Sequence, residues 1–170
     1  FVRASNLIVD LANNGDSTAQ YVLSMYFRDP NALNIPEVGE IWLLRAAENN
    51  NPFAQYDLGW RLAAGWKNDT LEDIVEMIYW FERATFNGSE DAYANLATLY
   101  ENEFRDVMAE MEVAANDGNA MAQFNLGWIN ARGLYSSEGL MQDMDVAKAW
   151  FEKSAELGFK DAIEVLEKNF

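Results

Sequence analysis

The sequence predicts an all-α protein, an α/α solenoid in which helix pairs stack into a superhelix. Three observations carry this: an internal repeat, apolar residues at helical spacing, and a glycine or asparagine closing each repeated stretch. Five segments share the pattern. A residue that tolerates left-handed backbone is followed four positions on by alanine, and four later by leucine. The segments are Gly15–Ala19–Leu23, Asn50–Ala54–Leu58, Gly88–Ala92–Leu96, Gly118–Ala122–Leu126 and Gly158–Ala162–Leu166. A small residue follows the leucine in four of them (Ser24, Gly59, Ala97 and Gly127), and Glu167 breaks the rule. The alanines advance by 35, 38, 30 and 40 positions, so the third interval is short.

Upstream of each segment lies a second helical stretch, ending in Leu11-Ala12, Ala46-Ala47, Ala84-Thr85, Ala114-Ala115 or Ser154-Ala155. Three of them carry a tryptophan five residues before the second small residue: Trp42, Trp80 and Trp150. Ile74, Ile78, Phe81 and Ala84 show the spacing that makes one apolar stripe on a helix. The glycines, and Asn50 in their place, suit the left-handed residue that ends a helix. Small residues let helices approach, and the tryptophans are expected to fill the wider gaps between units. One helix pair cannot bury its own apolar face, so several must stack.

In chain order this gives a single repeat domain over 1–170. A leading helix over 1–15 precedes repeats at 16–50, 51–88, 89–118 and 119–158, and a capping helix over 159–170 closes the array. Pro36 is placed to open the second helix of the first repeat. The third repeat is compressed, with its turn reduced to Glu101–Glu103 and Glu110 in the tryptophan position.

The chain resembles the Sel1-like repeat family, relatives of the tetratricopeptide repeat. The family pattern runs A-x-x-x-L-G-x-x-Y-x-x-G, then a loop, then A-x-x-W-x-x-x-A-A-x-x-G. Its first half is met best by Ala54-Gln55-Tyr56-Asp57-Leu58-Gly59 with Gly65, and by Ala122-Gln123-Phe124-Asn125-Leu126-Gly127 with Gly133. Its second half is met by Ala147-Lys148-Ala149-Trp150-Phe151-Glu152-Lys153-Ser154-Ala155 with Gly158. The resemblance covers the chain from about Leu7 to its end. It departs at Pro30, where glycine is usual, and at Leu62 and Asn130, where the family has aromatics.

The resemblance implies a protein-binding scaffold in which the first helix of each unit lines a concave face. By register that face carries Tyr21, Met25, Phe53, Tyr56, Trp60, Met121, Phe124, Trp128 and Arg132. The third unit contributes Asp91, Ala94, Thr98 and Asn102, a polar interruption. Aromatics and methionine are common interface anchors, so the strip is expected to hold an apolar peptide or helix with acidic residues at its rim. Packing competes as a role for the same residues, most of all for Tyr21, Tyr56 and Phe124. The resemblance implies a bacterial adaptor, virulence- or envelope-associated, with an immunity protein or inhibitor capturing a basic secreted toxin as the alternative.

Composition narrows the partners. Twenty-eight acidic residues face twelve basic ones, and a net charge of −16 repels phosphate backbones and anionic lipid. Nucleic acid is not an expected partner, and a basic protein is. The chain has no histidine or cysteine, which removes Ser–His and Cys–His catalysis, thiolate chemistry and the usual zinc ligands. No cofactor, metal or catalytic residue is expected. Asp143-Met144-Asp145 and Glu72-Asp73 lack the spacing of a calcium loop and read as helix starts. Asn68-Asp69-Thr70 and Asn87-Gly88-Ser89 fit the glycosylation sequon, but asparagine is frequent here and such triplets arise by chance. No apolar run spans a bilayer. A start at Phe1 leans towards a removed leader and a periplasmic or secreted protein, and the expected state is monomeric.

Overall fold

The computed structural model describes residues 2–65, 70–133 and 142–170. Among the described residues there are nine helices and no strand. They are α1 (Val2–Asn13), α2 (Ser17–Arg28), α3 (Pro36–Glu48), α4 (Pro52–Gly65) and α5 (Leu71–Phe86). The long α6 (Glu90–Asn116) follows, then α7 (Ala120–Arg132), α8 (Met144–Glu156) and α9 (Lys160–Asn169). The all-α repeat architecture is the one the sequence predicts. Pro36 opens α3 as its first residue. The segment Ser136–Gly139 and the Asn68-Asp69 part of one sequon lie outside the described residues.

One turn explains the repeat. Gly15, Asn50, Gly88, Gly118 and Gly158 all have positive φ, between 64° and 94°. The residue after each donates its backbone N–H five residues back, as Asn51 does to Ala46 O (2.9 Å) and Ser89 to Ala84 O (2.8 Å). That bond ends the preceding helix. The same residue then caps the following one. Asp16, Asn51, Ser89 and Asn119 accept the backbone N–H of Ala19, Ala54, Ala92 and Ala122 at 2.8 to 3.2 Å. The spacing from left-handed residue to alanine is therefore a helix stop and a helix start compressed into five residues. Ala54, Ala92, Ala122 and Ala162 are fully buried, because that first turn lies against the preceding helix.

A glutamine after the alanine fastens the turn. Gln20, Gln55 and Gln123 each donate Nε2 to the carbonyl eight residues back (Ala12, Ala47 and Ala115), all at 2.9 Å. The Oε1 of Gln20 accepts from Asn49 and that of Gln55 from Asn87, both at 2.9 Å. Asn49 and Asn87 are the C-caps of α3 and α5, so one side chain ties together three successive helices. At the C-cap of α8 stands Leu157, and the buried Oε1 of Gln123 has no protein donor.

In the second and fourth units the two helices run antiparallel and lock by a ring against a missing side chain. A Cβ on Gly59 would lie 2.7 Å from Phe81, and one on Gly127 would lie 2.4 Å from Phe151. The deep position of the second helix belongs to the residue after the tryptophan, not to the tryptophan itself. Leu43, Phe81, Met111 and Phe151 are at most 3% exposed. Trp80 is also buried, but Trp42 and Trp150 are half-buried beneath Arg45 and Lys153.

The third unit departs from expectation. The turn expected at Glu101–Glu103 is absent, and α6 runs through it as 27 helical residues. Both halves still bury the repeat positions, Ala92, Leu96 and Tyr100 on one side, Val107, Met111 and Ala114 on the other. The interval from Ala92 to Ala122 is the shortest between repeat alanines, and a single continuous helix fills it. With one helix in place of two, α7 enters reversed relative to α4. It lies alongside α5 in the same direction, Asn125 donating to Val75 O (2.9 Å) and Arg132 pairing with Glu82 (2.6 Å). The capping helix closes the other side: Asp161 at the start of α9 binds Arg83 and accepts the Tyr79 hydroxyl of α5 (2.9 Å).

Two outcomes follow. Spin labels on cysteines at exposed positions 93 and 113, introduced into this cysteine-free chain, should lie about 30 Å apart along one straight helix. A helical hairpin would bring them within about 10 Å, and pulsed electron spin resonance separates the two. Leu157→Asn should restore the missing donor to Gln123 and raise stability by about 1 kcal/mol in urea unfolding.

Candidate partner-binding surface

The structure divides the strip expected from register. Its first part holds together on α2 and α4. Tyr21 stacks on Phe53 with ring centroids 6.1 Å apart. Phe53 is 67% exposed, Trp60 52% and Met25 43%, while Tyr56 is half-buried against Phe81. Phe53, Tyr56 and Trp60 share a face because they are spaced by three and four on α4. The N-terminal half of α6 continues the surface, with Asn95 donating to the Tyr56 hydroxyl (3.4 Å) and Asp91, Ala94 and Thr98 exposed. The Asn102 side chain lies outside the described ones.

The fourth unit's share is elsewhere. Phe124 is 2% exposed and packs against Tyr79, Phe151 and Phe159, so a partner cannot reach it. Trp128 is half-buried between Phe86 and Phe151, and Met121 packs in the core. Arg132 turns inward to Glu82 and sits over the Trp128 ring. The reversal of α7 is the cause, since it turns this helix's expected open face towards α5, α8 and α9. What remains there is a cleft between α5, α7 and α9, lined by Arg83, Phe86, Trp128, Asp161, Glu164 and Lys168.

Charges on the α2–α4 face are mostly consumed. Arg28 pairs with Asp57 (2.8 Å), and Arg61 pairs with Glu40 (2.5 Å) and Asp57 (3.3 Å). Burial, with Asp57 adding to it, raises the Tyr21 phenol above its ordinary range. Such pairs are half in water and contribute little stability each, but they fix how α2, α3 and α4 align.

Sequence reasoning passed over Glu82, which is fully buried where α5, α6 and α7 meet. Burial pushes its carboxyl up to about 7, and the Arg132 guanidinium and a hydrogen bond from Tyr100 only partly offset this. Tyr100, Glu82 and Arg132 come from three separate segments, and no local motif announces the cluster. The acidic pairs do sit at helix starts: Asp73 closes a capping box with Thr70, and Asp143 caps α8. Asn87 uses its amide on Gln55, so glycosylation there would break the helix tie. Among the described residues no group of carboxylates is arranged to hold a metal ion, and no helix is long and apolar enough to cross a membrane.

The Sel1 repeat pattern matches residues 17–51, 52–88 and 120–159. The chain belongs to the Sel1 repeat family. Sel1 repeat proteins generally mediate protein–protein interaction and are of a non-catalytic scaffold type. The unmatched interval between the second and third matches is α6 with its flanking turns, where the structure replaces a helix pair by one helix. Similar solved structures include a Sel1 repeat protein from Oxalobacter formigenes. It is 27% identical, with 97% of this chain and 98% of that one covered and a TM-score of 0.42. A protective antigen present in uropathogenic Escherichia coli strains, displaying an SLR fold, is 25% identical over 90% of this chain, with a TM-score of 0.48. This chain spans about a third of that antigen's chain, 33%. No curated protein sequence matches.

The buried carboxylate sets a pH dependence for this Sel1 repeat chain. Between pH 4.5 and about 7 the folded state keeps the Glu82 proton and the unfolded state has lost it. Stability from this group therefore falls as pH rises through that window, by on the order of 3 kcal/mol. With no histidine in the chain, few other groups titrate there. Urea unfolding at pH 5 and pH 8 should show the loss, and Glu82→Gln should flatten it.

Proposed function

We propose that this chain is a non-enzymatic adaptor that binds a protein or peptide on the concave face built by α2, α4 and the first half of α6. The carrying observation is the exposed Phe53, Trp60 and Met25, with the half-buried Tyr21 stacked on Phe53, on helices that the ion pairs hold in register. Large exposed aromatics that stack on each other leave a concave surface short of a partner, and such residues supply most of the free energy at protein interfaces. The family resemblance adds a bacterial, envelope- or virulence-associated setting. Charge favours a second reading within the same binding role: a net −16 suits an inhibitor or immunity protein that captures a basic toxin.

Phe53→Ala with Trp60→Ala should lower partner affinity at least tenfold while the circular dichroism and melting profile stay close to wild type. Trp128→Ala should instead act on the fold, costing about 3 kcal/mol, because its ring is packed among Phe86, Phe124 and Phe151. Quantitative enrichment from the source proteome, compared between the wild type and the double variant, checks the first outcome. Undiminished capture by a folded double variant sinks the concave-face reading. An association rate that drops steeply with salt would favour the toxin inhibitor, and a salt-insensitive one the apolar-peptide adaptor.

A further inference from the structure

The concave face is chemically lopsided. Its α2–α4 side is aromatic, and its cations are spent: among the described residues of α2, α4 and the first half of α6 the basic side chains are Arg28 and Arg61, both ion-paired. On α6 the balance is opposite. Glu90 and Asp91 are exposed at its start, with no cation paired to either among the described residues. The Tyr56–Asn95 hydrogen bond joins α4 to α6. Asp91 lies one turn before Asn95 and Phe53 three residues before Tyr56, so each shares a helix face with its bonded neighbour. An exposed ring on α4 and an exposed carboxylate on α6, Asp91, therefore stand on helices joined by that bond, with Glu90 next to Asp91 in the first turn of α6.

We infer that the occupant of this face is an amphipathic basic segment, with its apolar side on Phe53, Trp60, Met25 and Tyr21 and its lysines or arginines against Glu90 and Asp91. This rests on the concave-face reading above and adds an orientation and a charge to it. The apolar side alone would accept any greasy helix. The carboxylates select among them, because an acidic segment would bring like charges together next to a partly desolvated aromatic group. Among the described residues a cation there finds no competing protein partner to displace. The reversed α7 limits the occupant's length, since the aromatic residues of the fourth unit do not extend the groove.

The test uses the whole chain and two synthetic fluorescein-labelled helices, one of leucine and lysine and one of leucine and glutamate, read by anisotropy. The leucine–lysine helix should bind at least tenfold more tightly than its acidic counterpart. Glu90→Lys with Asp91→Lys should weaken it about tenfold, and Phe53→Ala with Trp60→Ala by as much or more. A control reversal at Glu110 and Glu112, exposed on the far half of α6, carries the same change in net charge and should alter affinity less than twofold. If both charge reversals weaken binding equally, the attraction is to net charge and the inference falls. If the aromatic double variant loses binding while the Glu90/Asp91 reversal does not, the charge assignment falls and the concave face stands. If neither pair matters, both fall. Thermal unfolding of each variant confirms that it is folded before its affinity is compared.

Discussion

Everything in this molecule hangs on one turn, repeated at each passage from one unit to the next. A residue with positive φ ends a helix, and its neighbour immediately caps the next one, so no loop separates them. Such a turn fixes the direction of the new helix relative to the old within a few degrees of freedom. The glutamine that follows it reaches back to the preceding helix with its amide at three of these junctions. At two of them, Gln20 and Gln55, its carbonyl also accepts from the cap of the next helix, which converts a local geometry into a tertiary one. The buried alanines are a consequence. Any larger side chain at that point would push the first turn off the preceding helix.

A solenoid built this way is directional, and a change of one helix in the count reverses everything downstream. The passage from Gly88 to Gly118 holds one helix, not two, and α7 consequently lies parallel to α5. The family's first-helix face then stops being continuous. On α4 the aromatic positions look into solvent; on α7 the equivalent ones look into the core formed with α5, α8 and α9. Phe53 and Met121 hold the same place in the repeat, as do Tyr56 and Phe124 or Trp60 and Trp128. Their different exposures come from topology alone.

That contrast marks how far the sequence could be read. The stops, caps and alanines are local, set by backbone geometry over five residues, and they are visible in the spacing. Gln20, Gln55 and Gln123 were visible too, recurring beside the alanine, but their role needs the position of a helix 29 or more residues away. The residues after Trp42, Trp80 and Trp150 proved the deep ones, as the stripe Ile74, Ile78, Phe81 and Ala84 already indicated for Phe81, whereas the size of the tryptophans alone pointed to them instead. Whether α6 breaks near Glu101 depends on the competition between one more helical turn and a three-residue reversal. Pattern matching sees anchors in both halves and cannot weigh that competition. The burial of Phe124 and the inward turn of Arg132 both follow from that one outcome.

The Glu82–Arg132 pair makes sense within this reversal. A buried ion pair rarely exceeds a well-packed apolar pair in stability, since both ions must be desolvated. The raised carboxyl of Glu82 shows that desolvation outweighs its partners here. What an apolar contact lacks is direction: leucines on α5 and α7 would pack nearly as well with the helices parallel or antiparallel. Glu82 is four residues from the end of α5, and Arg132 is the last residue of α7. Only the parallel arrangement places those two ends together, and the antiparallel one would leave the guanidinium and the carboxyl group each without its partner. The Tyr100 hydroxyl ties the same carboxylate to α6, the helix whose continuity causes the reversal. The cluster thus favours the parallel contact of α5 and α7 that the continuous α6 brings about.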